Sequence, residues 1–319
     1  MRIRVLTAND VGRCLSMQQA IEAMGSAFGQ YSAGKATVPL RTRLNTDKGV
    51  SLVMPAFLHA TKEMAVKIVS VYEQNPSRGL PTISAMVLVL DAETGFPVAL
   101  INGESLTALR TGAAGGLAAE LLSRPDSRTL ALFGAGVQAG SQLEAVLEVR
   151  AIEKVIVVDP NIEAARRLAD LAAQRANAPQ VEIETDADRA AAAADIIAAA
   201  TTATTPLFDG EAVRPGTHIT GIGSFTPEMQ EIDARVVRKA LVVADSRQAC
   251  LAEAGDIIAA GVQIDAEIGE IVNGSHPGRT SRSQITFFKS VGLAAQDAAA
   301  AVAILRNAER QDIGRVIEV

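Results

Sequence analysis

At 319 residues the chain has room for two domains, each with its own core. Hydrophobic residues make up 48% and charged ones 21%, and the formal net charge of −6 comes without a basic block, which argues against nucleic acid or an anionic membrane as partner. No uncharged apolar run approaches the ~18 residues of a membrane span, and two distant cysteines (Cys14, Cys250) and three scattered histidines (His59, His218, His276) imply neither a disulfide framework nor a metal site, so the composition reads as a reduced, cytoplasmic, metal-free protein.

Met1-Arg-Ile-Arg-Val-Leu-Thr7 has too short an apolar stretch for a signal peptide and reads as a first strand. Asn9-Asp10 is expected to cap a first helix, and Ser16 a second that carries Ile21, Met24 and Phe28 at helical spacing. Strands are expected at 50–54, 64–72, 83–91 and 97–101, with Asp91-Ala-Glu-Thr-Gly95 as a hairpin turn, which implies a largely antiparallel sheet. Ser105 is expected to cap a long helix reaching about Leu122, whose Ala113, Ala114, Gly115, Gly116, Ala118 and Ala119 allow close backbone packing. After Arg124-Pro-Asp-Ser127 the pattern alternates strand and helix, with strands near 129–133, 154–158, 180–184, 195–199, 217–222 and 240–244, the signature of a parallel sheet covered on both faces. A final helix is expected over about 291–308.

The richest stretch is 129–159. The apolar strand Thr129-Leu-Ala-Leu-Phe133 runs into Gly134-Ala-Gly136-Val137-Gln138-Ala139, an amphipathic helix follows, and a second strand, Lys154-Val-Ile-Val-Val158, stops at Asp159. In this order the first glycine permits a tight turn, the second lets backbone approach a pyrophosphate, and the small Ala139 lets helix and strand pack closely. Asp159 stands where a carboxylate accepts both ribose hydroxyls. It would repel a 2′-phosphate, and Pro160-Asn161 offers no Arg or Ser to receive one, so NAD is favoured over NADP. Arg166 and Arg167 lie further along, on a solvated helix face.

Lys67 sits inside Met64-Ala-Val-Lys-Ile-Val-Ser-Val-Tyr72, a strand apolar on both faces. A buried ammonium there has its pKa drawn toward the range of proton transfer, whereas the bland alternative is a lysine snorkelling to water. Arg110 precedes the Ala/Gly run on a helix with little polar surface. It suits an anionic ligand or, equally, a structural pair with Glu104 or another carboxylate. Arg41 and Arg43 share a strand face, so one could bind a ligand while the other sits at the rim. Thr201-Thr202 and Ile219-Thr220-Gly221-Ile222 fall at carboxyl ends of parallel strands, where cofactors bind, and the backbone of Phe288-Lys-Ser-Val-Gly292 could meet a nicotinamide amide.

Several stretches together resemble the ornithine cyclodeaminase/mu-crystallin family over almost the whole chain: Pro39-Leu-Arg41, Met54-Pro-Ala56, Lys67, Asn75-Pro-Ser-Arg-Gly-Leu-Pro-Thr82, Leu106-Thr-Ala-Leu-Arg-Thr-Gly-Ala-Ala114, the Gly134 loop, Glu253-Ala-Gly-Asp256 and Thr286-Phe-Phe-Lys-Ser-Val-Gly292. The resemblance implies an α/β fold, with a Rossmann-type parallel sheet domain over 126–304. An α+β substrate-binding and dimerisation domain is expected over 1–125, with residues from about 305 to 319 packing back on it as helix. It also implies an NAD(P)-dependent homodimer. Substrate positions by resemblance are Arg41, Lys67, Arg110 and Val291; cofactor positions are Thr82, Arg110, Val137, Gln138, Asp159, Thr201 or Thr202, Ile219 to Ile222, and Ser290, beside Gly134 and Gly136.

Leu52 and Phe225 stand where cyclodeaminases carry acids, and Lys289 where they tend to have another, so this chain lacks the base and carboxylate that ring closure needs. The expectation is therefore an NAD-dependent reductase of a small 2-imino acid, cyclic such as pyrroline-2-carboxylate or acyclic such as iminosuccinate, or the reverse dehydrogenase. Arg41 and Arg110 would hold the carboxylate and Lys67 would relay the proton. The alternatives are a cyclodeaminase-type lyase that regenerates NAD each turnover, and a non-catalytic crystallin-like binder, against which the retained Lys67 argues.

Overall fold

The structure, a computed structural model, describes residues 2–175 and 177–319. The chain divides into two compact units, residues 1–110 with 293–319, and residues 111–292.

The first unit opens with β1 (Arg2–Leu6) and α1 (Ala8–Cys14). The cap of α1 is Thr7 rather than Asn9-Asp10: Asp10 serves the cap from inside the helix, its carboxylate accepting from the Thr7 N–H. Ser16 caps α2 (Met17–Ser32) as expected, and Ile21, Met24 and Phe28 are buried. Then come β2 (Ala36–Thr37), β3 (Thr42–Thr46), β4 (Gly49–Leu58), β5 (Glu63–Val71), β6 (Ile83–Leu90) and β7 (Pro97–Asn102). Strands β4 to β7 form an antiparallel meander. Its last turn is closed by Asp91, whose carboxylate accepts from the Thr94 N–H at 2.7 Å, and by Gly95 at φ +73°.

Helix α3 (Gly103–Leu122) starts two residues before Ser105. Asn102 makes the cap, its side-chain carbonyl accepting from the Ser105 N–H at 2.9 Å. The unit boundary falls inside this helix, at 110 rather than 125. Arg110 engages residue 297 of the first unit, whereas Gly112 and Gly115 lie against Ser141 and Gln142 of the second, so closely that a Cβ on Gly112 would stand 2.5 Å from the Ser141 carbonyl oxygen.

In the second unit strands and helices alternate: β8 (Thr129–Phe133), α4 (Val137–Val149), β9 (Lys154–Val158), α5 (Ile162–Ala173), β10 (Gln180–Ile183), α6 (Ala187–Ala193), β11 (Ile196–Ala199), β12 (His218–Gly221), α7 (Ala234–Val237), β13 (Leu241–Ala244), α8 (Arg247–Glu253), α9 (Gly255–Ala260), β14 (Ala266–Glu267), α10 (Ile268–Val272) and β15 (Thr286–Lys289). The sheet order is β10-β9-β8-β11-β12-β15-β13-β14, and every pairing is parallel. Along β8, Leu130 and Leu132 pack into one core cluster and Ala131 and Phe133 into another, so both faces are covered.

The chain then returns to the first unit at Leu293 with α11 (Ala294–Gln311) and β16 (Arg315–Glu318). The expected helix over 305–319 is thus helix only to Gln311. Asp312 (φ +50°) and Gly314 (φ +88°) take left-handed backbone, which ends the helix and turns the chain into a strand antiparallel to β1. The first sheet runs β16-β1-β7-β6-β5-β4-β2, with β3 paired to β4 and a single parallel pair, β1 with β7. One parallel-sheet unit and one α+β unit make an α/β protein. Among the described residues no helix is long and apolar enough to cross a membrane, and no three His, Cys, Asp or Glu side chains could hold a metal ion.

Candidate active site

In the first unit, alternation along β5 turns Glu63, Ala65 and Lys67 inward, toward α11, while Ile68 points to the opposite face. Lys67 lies in register with Met54 of β4 and Val87 of β6, both buried, so its stem is walled by apolar neighbours. It is 3% exposed, which removes the snorkelling alternative. Its ammonium is held 2.7 Å from Oδ2 of Asp297, and Oδ1 of the same carboxylate lies 3.1 Å from Nε of Arg110. Arg110 donates from Nη1 to Oε1 of Gln296 at 3.3 Å, and that oxygen also accepts from the Leu293 N–H. Nε2 of Gln296 is buried without a hydrogen-bond partner among the described residues. Burial above all, with the Arg110 and Arg41 charges adding to it and Asp297 opposing it, brings the Lys67 pKa from 10.5 down to about 8. Arg41, half-buried just before β3, is close enough to act on Lys67, whereas Arg43 is exposed. Thr82 lies before β6, its carbonyl accepting from the Tyr72 N–H.

Asp297 and Gln296 are absent from the sequence reading. The signal was present: they are the two polar side chains in the otherwise all-alanine first two turns, Ala294 to Ala301, of a helix that is wholly buried there. An acid in the first turn is also favoured by the helix dipole. Arg110 thus has its acidic partner in Asp297, not in Glu104.

In the second unit the turn after β8 has the shape its glycines suggest. Gly134 takes φ +94°, and a Cβ there would meet the Ala200 carbonyl oxygen at 2.6 Å. Around Gly136 nothing stands within 4 Å of a Cβ; it is the N-cap of α4 and supplies no side-chain cap, and Val137 is 77% exposed. The helix N-terminus is therefore open to a ligand, with Gln138 half-buried beside it. Asp159, at the end of β9, accepts from the Ala135 N–H at 2.7 Å and from Asn161 N–H, which fixes its carboxylate beside the glycine turn. Arg166 and Arg167 are exposed as expected. These residues fit a dinucleotide: bare backbone N–H groups for a pyrophosphate and a fixed carboxylate for a ribose.

Around that turn the strand ends are tied to buried acids that the sequence reading did not single out. Glu231 accepts from the Thr201 N–H and hydroxyl and from the N–H groups of Gly223 and Ser224. Thr201 is thereby engaged, and Thr202 is exposed. Asp256 accepts from the N–H groups of Glu231 and Ile232 and pairs with the fully buried Lys289 at 3.0 Å. Asp245 accepts from the Ser290 hydroxyl and from the N–H groups of Val291 and Gly292. These two N–H groups face Asp245 and are therefore not open to a ligand. Ile219 to Ile222 are buried, along and just past β12. Phe225 is 49% exposed and Leu52 half-buried, so neither supplies an acid nor replaces one.

Residues 1–312 match the model of the ornithine cyclodeaminase/mu-crystallin family, and the chain belongs to that family. Delta(1)-pyrroline-2-carboxylate reductase of Bacillus cereus is 37% identical over 324 residues, covering 98% of this chain and 99% of that protein. The structure of Thermococcus litoralis Delta(1)-pyrroline-2-carboxylate reductase in complex with NADH and L-proline superposes with a TM-score of 0.93 at 39% identity, covering 98% of this chain and 99% of that one. An archaeal alanine dehydrogenase dimer with bound NAD also superposes with a TM-score of 0.93, at 34% identity over 100% of this chain and 99% of that one.

Proposed function

We propose that the protein is an NAD-dependent oxidoreductase that reduces a small 2-imino acid to the 2-amino acid, or runs the reverse reaction. The observation that carries this reading is the buried Lys67 ammonium, sharing one site with Arg110 and tuned to about 8. A lysine with a pKa near the working pH can give and take a proton. Arg110 and the Nε2 of Gln296 offer N–H groups to a substrate carboxylate, with Arg41 adding a third charge at the edge. Lys67 orients the imine and gives its proton to the nitrogen, which makes the carbon a better acceptor. When bound, NADH supplies the hydride that ends on that carbon. Gly134, Gly136 and Val137 would hold its pyrophosphate, and Asp159 its ribose in preference to a phosphorylated one. The relatives are named as reductases of a cyclic imine and of iminosuccinate and as an alanine dehydrogenase, so 2-imino acids with one and with two carboxylates both belong in the test.

The test is incubation with NADH and a panel of imino acids, with NAD and ornithine in parallel. Net NADH consumption supports the reductase. Ammonia and proline without net NADH would identify a cyclodeaminase, and silence throughout a non-catalytic binder.

A homodimer is part of the proposal. Leu44, Ile68 and Met86 are exposed on one face of β3, β5 and β6, with Ile68 and Met86 in direct register, so this part of the sheet face is apolar and uncovered. The archaeal neighbour is a dimer. A monomeric mass by light scattering at micromolar concentration would count against it. The two free, buried cysteines fit a reducing, cytoplasmic location.

A further inference from the structure

Lys67 and Arg110 are like charges brought into one buried site from two different elements, β5 and α3. Without an acid between them they would repel each other, and the flexible lysine stem would let the ammonium drift. We propose that Asp297 is a positioning residue for the reduction, one carboxylate holding the Lys67 ammonium with Oδ2 and the Arg110 guanidinium with Oδ1, so that proton donor and carboxylate clamp keep a fixed separation. This rests on the reductase reading of the site.

Three observations support it. Asp297 is 1% exposed and uses both oxygens, at 2.7 and 3.1 Å, on two different cations. It stands in the first turn of α11, where the helix dipole favours an anion, and the preceding Gln296 holds the second edge of the same guanidinium. The largest charge effects on Lys67 come from three residues: Asp297 from α11 steadies the ammonium, whereas Arg110 from α3 and Arg41 before β3 oppose it, and the neighbouring strands contribute the uncharged Met54 and Val87. Asp297 is thus the one group in that set that keeps Lys67 protonated.

The proposal is tested with Asp297→Asn and Asp297→Glu, using NADH and Δ1-pyrroline-2-carboxylate as probe substrate. Asp297→Asn should lower kcat about 10- to 100-fold and move the alkaline limb of the kcat profile to lower pH by about one unit, since the opposing cations remain. Asp297→Glu keeps the charge and misplaces it: kcat should fall while the limb stays within about 0.3 of its original pH. An independent readout needs no turnover. In cofactor-free protein with 13C-labelled lysines, the Lys67 signal, assigned by its loss in Lys67→Arg, should titrate at lower pH in Asp297→Asn than in the unmutated chain. If Asp297→Asn does not fold, Asp297→Glu decides alone: unchanged kcat overturns the proposal. A limb and a Lys67 titration unmoved by Asp297→Asn also overturn it, leaving Asp297 a packing residue. Failure of the unmutated protein to reduce any imino acid sinks the reductase reading instead, while the titration still decides whether Asp297 governs Lys67.

Discussion

Both units bury charge, and they satisfy it in opposite ways. In the second unit Glu231, Asp245 and Asp256 are surrounded by donors, mostly backbone N–H groups of the loops that follow β11, β12 and β15. In the first unit Lys67 and Arg110 share one carboxylate, and the adjacent Gln296 amide has N–H groups with no partner. Because an unsatisfied buried polar group costs free energy, full satisfaction marks architecture and partial satisfaction marks a place kept for a ligand. By this contrast the second unit's acids brace the loops that follow its strands, and the proposed substrate site is the one at the first unit's cations.

The largest effect separates the two kinds of charge. Lys67→Ala should cut turnover by roughly 10²- to 10⁴-fold with NADH affinity little changed, and Lys67→Arg should not rescue it, because a guanidinium holds its proton too firmly. A folded Lys67→Ala protein with near-normal turnover would falsify the proton-relay role.

Lys289→Met, by contrast, should act on stability. It leaves the Asp256 carboxylate buried with only its backbone donors, at a cost of about 3–5 kcal/mol in urea unfolding. Wild-type stability with lost turnover would instead move Lys289 into the reacting site and dissolve the contrast.

Asp159→Ala should narrow the preference for NADH over NADPH by about ten- to a hundredfold, the worth of a lost charge-assisted hydrogen bond. Tighter NADPH binding by the unmutated protein would remove the basis for that expectation.

A smaller, graded effect follows from pH. The native Lys67 pKa is lowered, chiefly by burial, to about 8, and the donor form is the protonated one. Reduction should therefore fall about tenfold per pH unit above that value, and the reverse oxidation, which needs the neutral amine, should rise over the same range. A reduction rate flat to pH 10 would assign the proton to another donor.

The glycine turn, the parallel-sheet strands and the acid at Asp159 were legible from local pattern, because a strand, a tight turn and a helix start are decided by neighbours a few residues apart. Lys67 and Arg110 were legible for a related reason: a charge in an apolar element announces burial wherever that element packs. Local pattern also missed by small margins at Thr7 and Asn102, each of which caps its helix three residues before its partner, Asp10 and Ser105.

What joins Lys67 to Arg110 is Asp297, some 230 and 187 residues away along the chain, and no spacing rule connects them. The same holds for Glu231, Asp245 and Asp256, whose partners include backbone groups of the loops that follow other strands. The return of the chain at Leu293 and the turn at Asp312 into β16 were likewise decided by packing and left-handed backbone rather than by periodicity. The sequence by itself determined that Lys67 and Arg110 stand in apolar elements and where a nucleotide turn can form; only the tertiary structure decided which acids are buried with them and which charges meet, because ion pairing depends on distance through space and the chain sets distance only along itself.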